Sequence, residues 1–174
     1  AAVDCSVFPD AQQQSECYKD NAIKAKNPLD CPKATIPEVR DTCYSAIAAA
    51  ISEITLCAKV NGEISRTACF NAFAGTQTSN AACEKLAGGE KEYCIENLAR
   101  LLSNASSCEL AGSRKDPCYK GVAVKLGQYV TCLKIADVKI ADSCLHDAGV
   151  AGQDSSACGK VSIEAGKNTC YYDV

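Results

Sequence analysis

The sequence predicts an all-α protein, a disulfide-stapled α-hairpin solenoid of seven repeats of about 26 residues, on three observations. Its 14 Cys recur at a regular spacing, a stripe of helical period follows every second Cys, and helix-capping residues precede most of the others. The Cys stand at 5, 17, 31, 43, 57, 69, 83, 94, 108, 118, 132, 144, 158 and 170. Successive gaps are 12, 14, 12, 14, 12, 14, 11, 14, 10, 14, 12, 14 and 12. Every second gap is 14, and the others shrink only twice. No linker or low-complexity tract interrupts this pattern, which predicts a single repeat domain over 1–174.

Within a repeat, let a denote the first Cys and b the second. An apolar or small residue falls one helical turn after a, at a+3: Phe8, Ala34, Val60, Leu86, Ala111, Ile135 and Val161. Lys occupies a+2 as Lys33, Lys59, Lys85, Lys134 and Lys160. At a−4 stand Asn27, Glu53, Ser79, Asn104, Gln128 and Asp154, and Pro28 follows the first of these. Asn, Ser and Asp accept hydrogen bonds from the orphan amides of a helix start, and Pro suits the first helical position. A short helix is therefore expected from about a−4, carrying a near its first turn.

The connection that follows contains Gly62, Gly88-Gly89 and Gly112, and both shortened gaps fall in it, as a surface loop tolerates. A longer helix then carries b. Position b+1 is Tyr18, Tyr44, Phe70, Ile95, Tyr119, Leu145 and Tyr171. Position b+4 is Asn21, Ile47, Phe73, Leu98, Val122 and Ala148, and b+5 is Ala22, Ala48, Ala74, Ala99, Ala123 and Gly149. Offsets of one, four and five from b share one face of an α-helix. The small residues at b+5 would let a neighbouring element pack close. With helices 8–10 Å apart, seven stacked hairpins would form a rod of roughly 60–70 Å.

An even Cys count at this density points to an oxidising compartment. Metal thiolates usually need paired Cys two to four residues apart, because both sulfurs must lie about 2.3 Å from one ion. No two Cys here are closer than ten positions, so no metal site is expected. The opening Ala-Ala-Val-Asp, without Met or apolar leader, fits a secreted chain whose signal peptide has been removed. The expectation is an extracellular or cell-surface protein. Two disulfide patterns fit the repeat. Pairing a with b inside each repeat uses every Cys; pairing b with the next a strands Cys5 and Cys170. Parsimony favours the first, with each loop contributing about 3 kcal/mol through the unfolded state.

The segments Arg40-Asp41-Thr42-Cys43-Tyr44-Ser45-Ala46-Ile47-Ala48 and Ser156-Ala157-Cys158-Gly159-Lys160-Val161 carry a tandem motif, R-D-x-C-Y-x-x-x-A followed by S-x-C-x-K-I. It resembles that of secreted or surface-tethered cysteine-rich repeat proteins of archaea and some bacteria. The architecture is also similar to disulfide-bridged Sel1-like repeats, whose repeat is longer. The basic residue at b−3 is replaced by Gln14 and Ala141 in the first and sixth repeats. The resemblance implies location and fold, and carries no activity.

Chemistry is sparse. A net charge of −3, with 18 basic and 21 acidic residues, argues against nucleic acid as a partner. The longest apolar run, Ala46 to Ile51, is too short to span a bilayer. No nucleotide-binding glycine pattern, H-E-x-x-H or G-x-S-x-G occurs. The single His, His146, falls at b+2, where it reads as an exposed helix position. The Lys at a+2 and the basic residues at b−3 are expected in local ion pairs, worth little at a surface. No cofactor is implied. Asn104-Ala105-Ser106 is an N-glycosylation sequon, and it coincides with the expected cap.

Terminal repeats of a monomeric solenoid need polar outer faces. Val3, Val7 and Phe8 at one end and Tyr171, Tyr172 and Val174 at the other predict head-to-tail contact that propagates rather than closes. The expected function is a non-enzymatic structural protein that assembles into a filament or surface layer. The competing expectation is a monomeric secreted recognition module for a protein or glycan.

Overall fold

The computed structural model describes residues 3–74 and 80–174. Seven α-helices carry the second Cys of each repeat: α1 (Ala11–Ala25), α2 (Pro37–Ile51), α3 (Glu63–Ala74), α4 (Gly88–Leu101), α5 (Lys115–Leu126), α6 (Val138–Gly152) and α7 (Glu164–Asp173). Each is preceded by a short helix carrying the first Cys, and the described residues contain no strand. The protein is an all-α repeat stapled by disulfides. The short helices are 3-10 rather than α, and six residues long in most repeats, as in Pro28–Lys33, Ile54–Lys59 and Tyr129–Lys134. These runs are long for the tighter 3-10 geometry, whose bonds close one residue sooner and which seldom extends beyond three or four residues.

Every disulfide joins a to b inside a repeat: Cys5–Cys17, Cys31–Cys43, Cys57–Cys69, Cys83–Cys94, Cys108–Cys118, Cys132–Cys144 and Cys158–Cys170. No Cys is free. All are buried except Cys17, which is half-buried. The staple pins the 3-10 helix against the middle of its own α-helix. A hairpin of this size buries little by itself, so the covalent link supplies what a larger core otherwise would.

The constant gap of 14 has a hydrogen-bonding cause. At b+9 the chain turns left-handed, at Lys26, Ser52, Ser103, Gly127 and Gln153. The next residue then donates its amide to the carbonyl of b+5: Asn27 to Ala22, Glu53 to Ala48, Asn104 to Ala99, Gln128 to Ala123 and Asp154 to Gly149, at 2.8–3.0 Å. This is the bonding of a Schellman turn. The same residue, at a−4, opens the following 3-10 helix. Asn27, Glu53, Asn104 and Asp154 accept the amide two residues on with their side chains, whereas Gln128 makes no such bond. One residue ends one helix and starts the next, which leaves no slack for insertion. Ser79 and the side chain of Ala74 lie outside the described residues.

The b+5 residues Ala22, Ala48, Ala99 and Ala123 are fully buried. A Cβ on Gly149 would stand 2.9 Å from the Cβ of Ala157 in the next repeat, which shows why this position is small. The a+3 residues are buried in every repeat but the first, where Phe8 is half-buried. Where the connection shortens, glycine absorbs the strain: Gly88 and Gly112 both have positive φ, near 55°. Repeat 5 inserts an extra 3-10 turn, Gly112–Arg114, and α5 begins later relative to its Cys than the other long helices.

The chain divides into two compact bodies, Ala1–Gln77 and Thr78–Val174. In the first, α1 packs on α2 and α2 on α3; in the second, α4 packs on α5, α5 on α6 and α6 on α7. Within these bodies α1, α2, α4, α5 and α6 each also hold the 3-10 helix of the following repeat, as α1 does Pro28–Lys33 and α5 does Tyr129–Lys134. Contact between successive repeats is the pattern of a solenoid, and it holds within each body.

Candidate functional site

The most developed polar arrangement is the joint between consecutive repeats. It begins at b−2, the Asp of the R-D-x-C-Y motif, for which the sequence pattern indicated no role. Oδ1 and Oδ2 of Asp41, on α2, accept the amides of Asn61 and Gly62 at 3.0 and 2.8 Å. Asp142, on α6, accepts those of Ser162 and Ile163 at 2.8 and 3.1 Å. Asp116 accepts Ala136 and Asp137, and the hydroxyl of Ser15 accepts Thr35 and Ile36. Glu92 reaches only Ser113, bonding its amide at 3.2 Å and its hydroxyl at 2.6 Å. Each acceptor serves amides 20 or 21 residues later. Those amides open the next long helix, where they have no intrahelical partner. Ile36 and Ile163, at the N-cap of α2 and α7, make no side-chain cap of their own. Their caps come from the preceding repeat.

One further contact crosses such a joint. Lys134, at a+2, lies 5.4 Å from the ring centroid of Tyr119, the b+1 aromatic of the repeat before it. The Tyr119 hydroxyl donates to Glu109, and burial followed by that bond pushes its pKa up to about 12. Lys33 pairs with Asp30 at 2.6 Å, the local ion pair expected of this position. At b−3, Lys91, Lys115 and Lys167 pair within their own repeats. Lys91 meets Glu84 at 2.6 Å and Lys115 meets Glu109 at 2.5 Å.

On α5, α6 and α7, a basic residue at b+2 meets an acid at b+3 of the next helix. Lys120 Nζ lies 2.8 Å from Asp147 and 2.6 Å from the Ser143 hydroxyl. His146 Nε2 lies 2.9 Å from Asp173, and its Nδ1 lies 3.0 Å from Asp147. His146 is thus a half-buried bridge to α7 and differs from the exposed position expected of it. Bonds first to Asp147 and then to Asp173 raise its pKa above the ordinary histidine value. A cleft of about 280 Å³ beside it is lined by Asp142, Ser143, Val161 and Ile163, among others. Ser143 and His146 share this cleft, yet both imidazole nitrogens face carboxylates. Neither is left to take a proton from the serine hydroxyl.

The residues expected at an assembly interface are placed as follows. Val3 and Val7 are exposed at 59% and 68%, and Tyr171 and Tyr172 at 52% and 91%. Val174 is also exposed, and Phe8 is half-buried. Val3, Phe8 and Cys17, together with the polar side chains of Gln12, Gln13, Glu16, Asp20 and Asn21, line a groove of about 450 Å³ on repeat 1. The corresponding positions of repeat 2 differ: Val39 and Ile47, counterparts of Gln13 and Asn21, are buried. Asn21 instead holds the segment before the first 3-10 helix, donating to the Val3 carbonyl at 2.7 Å and accepting its amide at 3.1 Å. Pro9 occupies a+4, where other repeats offer an amide to a b−2 acceptor.

Among the described residues, no group of His, Cys, Asp and Glu could hold a metal ion. No helix among them is long and apolar enough to cross a membrane. Compared with family models, curated proteins and solved structures, the chain finds no match.

Proposed function

We propose that this chain is a non-enzymatic extracellular structural protein whose stapled repeats serve as a scaffold. The observation that carries this reading is where its chemically capable groups are engaged. Asp41, Asp116 and Asp142 accept backbone amides, His146 has a carboxylate on each nitrogen, and no Cys is free. Groups with committed protons and lone pairs hold structure and are poor acids, bases or nucleophiles. Seven disulfides suit an oxidising environment.

Self-assembly into a filament or surface layer is the sharper form of this reading. It rests on the exposure of Val3, Val7, Tyr171 and Tyr172. Polar Gln13 and Asn21 in the groove, and Pro9 where an amide would stand, argue that such contact does not continue the repeat register. It would instead be a contact between apolar side chains. Sedimentation of the unreduced protein across a concentration series, with negative-stain microscopy, tests it. Polymers that vanish in Val7→Ser and in Tyr171→Ser/Tyr172→Ser are expected. A monodisperse monomer at all concentrations would reject assembly.

The groove on repeat 1 favours a second reading as a recognition module. A lining that mixes an aromatic and an aliphatic side chain with amides and carboxylates is the chemistry of a small polar ligand such as a sugar. Binding of a glycan by the monomer, lost in Gln13→Ala, would support that reading over the scaffold.

A further inference from the structure

We propose that Asn104 is a site of N-linked glycosylation. The inference rests on the extracellular reading above, because the modification requires passage through a secretory route. The sequon Asn104-Ala105-Ser106 lies at the turn from α4 into the 3-10 helix Ala105–Leu110. Asn104 is exposed. Its backbone amide donates to the Ala99 carbonyl at 2.8 Å, and its Oδ1 accepts the Ser106 amide at 3.1 Å. Its Nδ2 has no partner among the described residues. Capping and glycosylation therefore use different atoms of one side chain.

Asn27, at the same place in repeat 2, shows the contrast. Its Oδ1 also caps, accepting the Leu29 amide at 3.2 Å, but its Nδ2 donates to Asp30 at 2.8 Å. Pro28 follows it, which excludes a sequon. Repeat 5 places Ala105 and Ser106 there and leaves the amide nitrogen uncommitted. Leu101 and Leu102, just before the turn, are each 37% exposed, and an attached glycan would shield such surface.

The donor is an oligosaccharide linked to a lipid diphosphate. The bond from its anomeric carbon to the diphosphate oxygen breaks, and the lipid diphosphate leaves with the electron pair. A bond from that carbon to Asn104 Nδ2 forms, while one Nδ2 proton passes to a base of the transferase. The product keeps its amide carbonyl, so Oδ1 still caps the helix.

The test uses the full chain secreted by cells that possess this transferase, digested without reduction and mapped by mass spectrometry. A glycan mass on the Asn104 peptide is expected, removed by a glycan-releasing amidase with conversion of Asn to Asp. Ser106→Ala and Asn104→Asp should both lose it and be secreted as the parent is, since each retains an acceptor oxygen for the cap. Unmodified Asn104 in a secreted, fully disulfide-bonded chain overturns the proposal alone. Titratable thiols in the same native sample would overturn the extracellular reading with it.

Discussion

The carboxylate of Asp142 lies 2.8 Å from the amide of Ser162, so a side chain of α6 caps the helix of the following repeat. The residue is 8% exposed and serves a second amide, that of Ile163, at 3.1 Å. Asp41 repeats this arrangement beneath α3, where the acceptor is 4% exposed. A carboxylate with two oxygens matches two successive amides, as at Asp41, Asp116 and Asp142, whereas Ser15 shares one oxygen between two donors.

Removing that acceptor strands two amides at a joint. Asp142→Ala should cost about 2–4 kcal/mol, and Asp142→Asn less, because one acceptor oxygen remains. Urea unfolding of the unreduced protein measures both. A loss below about 0.5 kcal/mol for the Ala variant would mean that water replaces the carboxylate without cost.

The bridge from His146 to Asp173 makes the docking of α7 pH-dependent. The folded pKa is raised, so this contribution is complete below the unfolded value of about 6.5 and is lost as pH rises through the folded value. The other charges around the ring are Asp147 and Asp142 on α6 and Lys120 on α5. Hydrogen exchange in α7 should quicken as pH rises across the His146 titration, after correction for intrinsic rates. His146→Gln should flatten that dependence, and an unchanged profile would show that the bridge does not hold α7.

Four of the five left-handed helix ends are not glycine, namely Lys26, Ser52, Ser103 and Gln153. This conformation costs an ordinary residue about 1 kcal/mol, offset in part by the greater freedom of glycine when unfolded. Gln153→Gly should raise stability by about 0.5–1 kcal/mol, read as an upward shift in the unfolding midpoint. Destabilisation would mean that the Gln153 side chain contributes more than the backbone strain removes.

Gly127 and Gly152 meet backbone to backbone at the ends of α5 and α6. A Cβ on Gly127 would stand 2.7 Å from the Cα of Gly152, and one on Gly152 would overlap the Gly127 carbonyl. Gly152→Ala should therefore force the two helix ends apart and destabilise the fold by about 1–3 kcal/mol as overpacking does, read as a lower unfolding midpoint. An Ala variant as stable as the parent would show that the helix ends separate freely.

Much of the fold was already written in the chain. Cys spacing, the b+1, b+4 and b+5 stripe and the caps at a−4 are local features, each with a period that one helix or one turn can express. They identified the helices, the repeat and the likeness of every unit, and the even count of Cys favoured pairing within repeats. Tertiary structure decided which side chains join one repeat to the next. Asp41 and Asn61, or His146 and Asp173, lie 20 or more residues apart, and nothing in their local pattern says that they meet. Their meeting depends on how each hairpin docks on its neighbour, a matter of the size of residues such as Gly149 and of the left-handed turn before the next cap. The short helices are likewise 3-10 rather than α, a difference of one residue in hydrogen-bond closure that caps and Cys spacing do not distinguish.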